Sequence, residues 1–198
     1  MSELAAKPQR GRPRKEGIRA AVIEALTALV AEQGYPATSM DDVAERAGVS
    51  KATIYRRWPS KDALIIDAHR AVTDEASVPD TGTLEGDLLA LLDHVATRMD
   101  DERFARMMQA SASEMLANPE LAAVFREHAM GPKLEMIRAI FARAEARGGI
   151  RGDVDWRTWA FALMGSNMLR VTFMGERIDR EANARLVRAI ARDSLRER

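Results

Sequence analysis

Apolar residues early in the chain fall at Ile18, Val22, Ala25, Leu26, Leu29 and Val30. That spacing lines one face of a helix from about Gly17 to Gln33, and Gly34-Tyr35-Pro36 ends it. The same period recurs to the far end. It predicts helices over Ser60–Thr73, over Thr83–Met99 (Leu84, Leu88, Leu91, Leu92, Val95) and over Glu102–Leu116 (Phe104, Met107, Met108, Met115). Asn118-Pro119-Glu120 reads as the cap and first turn of a short helix to Ala129. Further helices are expected over Pro132–Ala146, from Asp155 to about Phe173, and over Arg180–Arg196. Ser77 to Gly82 has the composition of a loop. No segment alternates as a strand does, so the expected fold is all-α, with about nine helices and no internal repeat.

Between the first helix and Ser60 the pattern is more specific. Residues 38–64 read TSMDDVAERAGVSKATIYRRWPSKDAL. With Met40 as first position, Ala44 falls fifth, Gly48 ninth, Val49 tenth and Ile54 fifteenth. A small residue at Ala44 lets two helices cross closely. Gly48 supplies the positive φ of a tight turn. Val49 and Ile54, with Val43, bury against the first helix and fix the crossing angle. Ser39 with Asp42 forms a capping box, Ser50 caps the second helix and Ser60 a third, and Pro59 stops the second helix after Trp58. These offsets describe a helix-turn-helix, which lays a short helix in the DNA major groove. The expected head is three helices over 16–62, followed by a helical bundle over 63–198.

Charge agrees with that division. The net charge is zero over 198 residues, yet residues 1–61 hold eleven Lys or Arg against seven Asp or Glu, and the remainder nineteen against twenty-three. A basic head on an acidic body suits a protein whose head alone meets phosphate. Residues 1–15 read as a flexible basic arm, and Arg10-Gly11-Arg12-Pro13-Arg14-Lys15 resembles an AT-hook core, which places Arg10, Arg12 and Arg14 along a narrow minor groove. With 46% hydrophobic residues the chain builds a core. It has no cysteine, hence no disulfide, thiol nucleophile or cysteine-bound zinc. Without an apolar run of membrane length or a leader-like start, a soluble cytoplasmic protein is expected.

The residues Thr38-Ser39-Met40-x-x-Val43-Ala44-x-x-Ala47-Gly48-Val49-Ser50-Lys51-Ala52-Thr53-Ile54-Tyr55, then Trp58-Pro59-Ser60-Lys61-Asp62-x-Leu64, resemble the tetracycline-repressor (TetR) family of transcriptional regulators. The motif-level resemblance covers residues 17–65. Trp58 stands where the family usually has Phe, Arg56-Arg57 replaces a pair that more often includes an aromatic or His, and Asp62 stands where Glu is commoner.

The resemblance and the geometry together place a recognition helix over Lys51–Trp58. Lys51, able to donate to guanine, and Ala52, able to meet a thymine methyl, lie at its start, with Arg56 as a further reader. Thr38, Ser50, Thr53, Tyr55, Lys61 and Arg57 are expected phosphate contacts.

Nine of the eleven methionines lie beyond the head. On sequence alone ordinary core is the better reading for most of them. The resemblance implies an apolar or amphipathic small-molecule effector in this domain, with Leu91, His94, Val95, Met108, Ala112, Met115, Phe125, Ile137, Phe141, Met164 and Met168 as its lining. His94, Gln109, Ser113 and Glu114 are the candidate polar handles. The helix from Asp155 is apolar on more than one face. It reads either as a buried central helix or, with Arg180–Arg196, as half of an antiparallel four-helix bundle across a two-fold axis. The dimer is the expectation, because one short head binds DNA weakly and two heads match successive major grooves. The expected partners are therefore double-stranded DNA, a second copy and the effector, with no cofactor, metal or membrane.

The function so implied is a ligand-released repressor on a palindromic operator, with the helix from Ser60 as lever. An architectural DNA-binding protein without effector is the alternative. A helical-bundle enzyme is a poorer one: no Gly-x-Ser-x-Gly elbow or phosphate-cradling loop occurs, and His69, His94 and His128 lack metal spacing.

Overall fold

The computed structural model describes residues 12–74 and 78–195, with side chains over 17–71 and 78–195. Helix α1 (Arg12–Gln33) starts at Arg12, not near Gly17, so Arg12 and Arg14 belong to its first turn and not to a separate arm. Pro13 is tolerated there, because the first turn of a helix has no partner for its N–H groups anyway. The side chains of Arg12 and Arg14, and Arg10 altogether, lie outside the described residues. At the other end Gly34, at φ 83, turns the chain.

Helices α2 (Met40–Arg46) and α3 (Lys51–Arg57) follow as expected. Ser39 and Asp42 cap each other's backbone in a complete capping box, and Ser50 accepts from the Thr53 N–H. Gly48 sits at φ 64 between the two helices, in the left-handed region that a side chain would strain. Val43, Ala44 and Ile54 are buried against α1. Helix α4 (Lys61–Asp74) then leaves the head, with the Ala63 N–H donated to Ser60 Oγ.

The body comprises α5 (Leu84–Met99), α6 (Glu102–Ala117), α7 (Pro119–Phe125), α8 (Gly131–Ala146), α9 (Trp156–Met168) and α10 (Arg180–Ser194). Pro132 was expected to open a new helix. Instead α7 runs into α8 through a π turn, Arg126–Met130, in which the Gly131 N–H reaches back to the Arg126 carbonyl. The wider turn gives the proline ring room against the preceding carbonyls. A second π turn, Leu169–Phe173, extends α9. Ten α segments therefore form nine continuous helices among the described residues, and no strand occurs among them.

Two apolar cores hold the molecule together. One joins the head to the near side of the body, with Leu26, Val43, Ile54, Trp58, Leu64 and Ile65 continuous with Phe104 and Met107 of α6. The other ties Leu88 and Leu92 of α5 to Ile140 and Phe141 of α8, Leu163 of α9 and Ile190 of α10. The head is thus not a freestanding three-helix unit, because α1 packs along α6 as well as on α2 and α4.

A polar staple fixes the same junction. Asp67 of α4 accepts from Arg19 Nε (3.0 Å), Arg19 Nη2 (2.9 Å) and the Trp58 indole N–H (3.0 Å). Trp58, in the place usually held by Phe, fills the apolar niche at 3% exposure and adds a donor that Phe lacks. Burial pushes the Asp67 carboxyl up, but the hydrogen bonds from Arg19 and Trp58 outweigh it and hold the group below the ordinary carboxylate value.

Candidate nucleic-acid interface and body cavity

Helix α3 turns Ile54 inward and leaves Lys51, Ala52, Tyr55, Arg56 and Arg57 exposed. Residues at 51, 52, 55 and 56 share one helical face, so the outward side carries a lysine, a methyl group, a phenol and a guanidinium side by side. Ser50 and Thr53 sit at the start of the same helix, their hydroxyls 2.8 Å apart. Lys51 pairs with Asp41 of α2 and its ammonium is held above its ordinary pKa by that hydrogen bond. The Arg57 guanidinium lies over the Trp58 ring, 5.0 Å from its centroid.

Two expected phosphate contacts are placed differently. Thr38 is 2% exposed, and its hydroxyl donates to the Gly34 carbonyl at 2.8 Å. The Lys61 ammonium donates to the carbonyls of Tyr35 (2.6 Å), Thr38 (2.8 Å) and Pro36 (3.4 Å) and lies over the Tyr35 ring. Both side chains hold the α1–α2 loop closed instead of facing outward. The reason is the left-handed turn at Gly34, which aims several carbonyls at one point that a cation then fills. Burial lowers the Lys61 pKa.

Between the two cores lies a cavity of about 530 Å³. Its walls come from α4 to α9: His69 from α4; Leu88, Leu91, Leu92, Val95 and Met99 from α5; Met108, Ala112, Met115 and Leu116 from α6; Ala122 and Phe125 from α7; Lys133, Met136 and Ile137 from α8; Phe161, Leu163, Met164, Asn167 and Met168 from α9. The π turns add Arg126, Met130, Val171, Thr172 and Phe173.

Nine of the eleven residues expected at an effector site line this cavity. His94 and Phe141 do not, and Phe141 belongs instead to the second core. Seven of the nine body methionines (Met99, Met108, Met115, Met130, Met136, Met164, Met168) face this space, where ordinary core was the better reading for most of them. Only Met107 is wholly buried core and Met174 is exposed.

The polar wall was not foreseen. None of Gln109, Ser113 and Glu114 lines the cavity. Gln109 instead donates to the Val171 carbonyl and pins the second π turn to α6. The cavity's polar groups are His69, Arg126, Lys133, Asn167 and Thr172. His69 had a legible signal, since it sits on the inner face of α4 with Ile65 and Ala68. A polar ring on an apolar helical face needs a partner from elsewhere in the fold.

Helix α9 is partly open as well. Phe161 (52% exposed), Met168 (52%) and Phe173 (59%), which also line the cavity, and Leu169 (56%), which does not, reach solvent in the single chain, so α9 is not a fully buried central helix. Among the described residues no helix is long and apolar enough to cross a membrane.

This architecture has known counterparts. The family model described as bacterial regulatory proteins, tetR family, matches residues 22–68, and that described as tetracyclin repressor-like, C-terminal domain, matches residues 78–190. The uncharacterized HTH-type transcriptional regulator YdeS of Bacillus subtilis is 29% identical over 172 residues, 86% of each chain. The DNA-binding transcriptional repressor TetR of Mycobacteroides abscessus is 35% identical over 152 residues, 74% of this chain and 75% of the relative. The crystal structure of the TetR family transcription regulator SCO0332 superposes with a TM-score of 0.70 at 29% identity, over 90% of this chain and 99% of that one. With the helix-turn-helix head, the cavity-bearing helical body and both halves matched, the chain belongs to the tetR family of helix-turn-helix transcriptional regulators.

Proposed function

We propose that this regulator is a ligand-released repressor. Two copies join through the outer faces of α9 and α10 and present two α3 helices about 34 Å apart to successive major grooves of a palindromic operator. Lys51, Ala52 and Arg56 read base edges, while Ser50, Thr53, Tyr55 and Arg57 hold phosphate. Thr38 and Lys61 act one step back, by shaping the loop that positions α2. An apolar or amphipathic molecule enters the cavity and favours the conformation in which the two heads no longer fit the operator.

The observation that carries the reading is that one helix serves both sites. Helix α4 puts Leu64 and Ile65 into the head core and His69 into the cavity wall. A molecule in the cavity therefore touches the element that sets the head. An architectural role without effector gives such a cavity no purpose.

The test is a gel-shift titration against the chain's own upstream DNA, with and without compounds that raise the melting temperature in a library of apolar small molecules. Release of DNA by a stabilising compound is the expected result. Specific DNA binding that no stabilising compound alters would refute it.

A further inference from the structure

Resting on the cavity reading above, we propose that the effector is an anionic amphiphile, an apolar body ending in a carboxylate, and that Arg126 and Lys133 hold its head at the rim of the cavity while the body lies among the methionines.

The two cations belong to one wall. The cavity-facing strip of α7, the first π turn and α8 runs Ala122, Phe125, Arg126, Met130, Lys133 and Met136. Arg126 is exposed as well as lining the cavity, and Lys133 is half-buried, so both charges stand between solvent and the void. The charge of Lys133 is felt inside. Burial first and that charge second lower the pKa of His69, a buried residue of the α4 wall.

Nothing of opposite sign answers them there. No carboxylate lines the cavity among the described residues. Glu127 and Glu135, which flank the pair along the chain, are exposed and outside the lining, and they pair with His128 (3.9 Å) and Arg138 (2.7 Å). The other polar lining groups are His69, which burial keeps neutral, Asn167 and Thr172. Asn167 Nδ2 already donates to the Leu163 carbonyl at 3.0 Å.

Like charges beside a low-dielectric wall concentrate their field in the space they face. An anionic head gains from that field, a hydroxyl gains a hydrogen bond at most, and an ammonium is repelled. A carboxylate has two oxygens and can accept from a guanidinium and an ammonium at once. Long-range attraction does not supply the same preference, because residues 62–198 hold nineteen Lys or Arg against twenty-three Asp or Glu. A preference for anions therefore reports the lining itself.

The probes are decanoate, decan-1-ol and decyltrimethylammonium, which set one tail under an anionic, a neutral and a cationic head. Calorimetric titration of the full chain should show decanoate binding on the order of tenfold more tightly than decan-1-ol, about what one charge-assisted hydrogen bond gives, with the cation weakest. Arg126→Met and Lys133→Met should each narrow the ratio several-fold, and together they should abolish it, with decan-1-ol bound as before. The comparison of heads on the unaltered protein does not depend on those variants folding.

Equal affinity for decanoate and decan-1-ol, tighter binding of the cation, or a decanoate preference that survives the double substitution overturns this proposal and leaves the cavity reading standing. If none of the three probes binds or raises the melting temperature, the cavity reading falls and takes this proposal with it.

Discussion

Asp67→Asn removes one charge from the junction of head and body while keeping its shape. In the native protein three donors converge on the carboxylate: two from Arg19 and one from Trp58, at 2.9 to 3.0 Å. An asparagine can turn its single oxygen toward Arg19 Nε and Trp58 Nε1, but its amide then faces Arg19 Nη2 donor to donor. One charge-assisted bond is lost outright and the other two become neutral-acceptor bonds.

Hydrogen bonds to charged groups contribute about 1.5–3 kcal/mol, and the pair is about a fifth exposed, at 22% and 21%, so water screens it only in part. A loss of about 2–3 kcal/mol follows, or about 5–10 °C in melting temperature for a chain of this length. The sign of the pH dependence is fixed as well. The native pKa lies below the unfolded one, so the stabilisation is present above the ordinary carboxylate value and disappears as pH falls through the lowered native value.

Thermal unfolding followed by circular dichroism should therefore show the wild-type and Asp67→Asn curves well apart at pH 7 and converging below about pH 4. Trp58→Phe, which removes only the indole donor, should cost about 1 kcal/mol. The reasoning is refuted if Asp67→Asn melts with the wild type at pH 7, or if the gap is as wide at pH 3 as at pH 7.

Asp41→Asn frees Lys51 and removes a carboxylate beside the DNA-facing surface, so affinity for DNA should rise several-fold at low salt and the gain should shrink as salt is added, read by fluorescence anisotropy at two ionic strengths. Lys51→Ala should lower cognate affinity by roughly 1–3 kcal/mol while leaving scrambled DNA bound nearly as before. Lys61→Ala, by contrast, should lower the melting temperature by unpairing three loop carbonyls, and its slope of affinity against salt should stay that of the wild type, which a parallel titration checks. Gly48→Val forces a branched residue to φ 64 and should cost about 1–3 kcal/mol in chemical denaturation, with loss of specific DNA binding. Leu169→Glu charges an exposed position after α9 that does not line the cavity and should turn a dimer into a monomer in sedimentation runs; an unchanged sedimentation coefficient would place the interface elsewhere.

The head was readable because its determinants are local. The capping box at Ser39 and Asp42, the turn at Gly48 and the caps at Ser50 and Ser60 each act within a few residues, so fixed offsets in the chain become fixed geometry in space. Pro132 misled because a proline ends a helix only when the turn before it is an ordinary one, and the π turn at Arg126–Met130 is wider. The loop contacts of Lys61 were not legible, because its place at the start of α4 says nothing of the Tyr35, Pro36 and Thr38 carbonyls gathered around it from 23 to 26 residues away.

The amino-acid sequence by itself determined the class of fold, the order of the helices and which face of α3 is left exposed, since all three follow from helical periodicity and short-range capping. Only the tertiary structure decided what the body does with its apolar residues. A methionine at helical spacing looks the same in the sequence whether it faces another side chain, as Met107 does, or an open cavity, as Met108 does. The buried partner of His69 was likewise set by the fold, since its Nε2 meets Ser111, 42 residues further along the chain. The void and the buried His69–Ser111 pair are both products of packing between distant segments, and no local pattern encodes them.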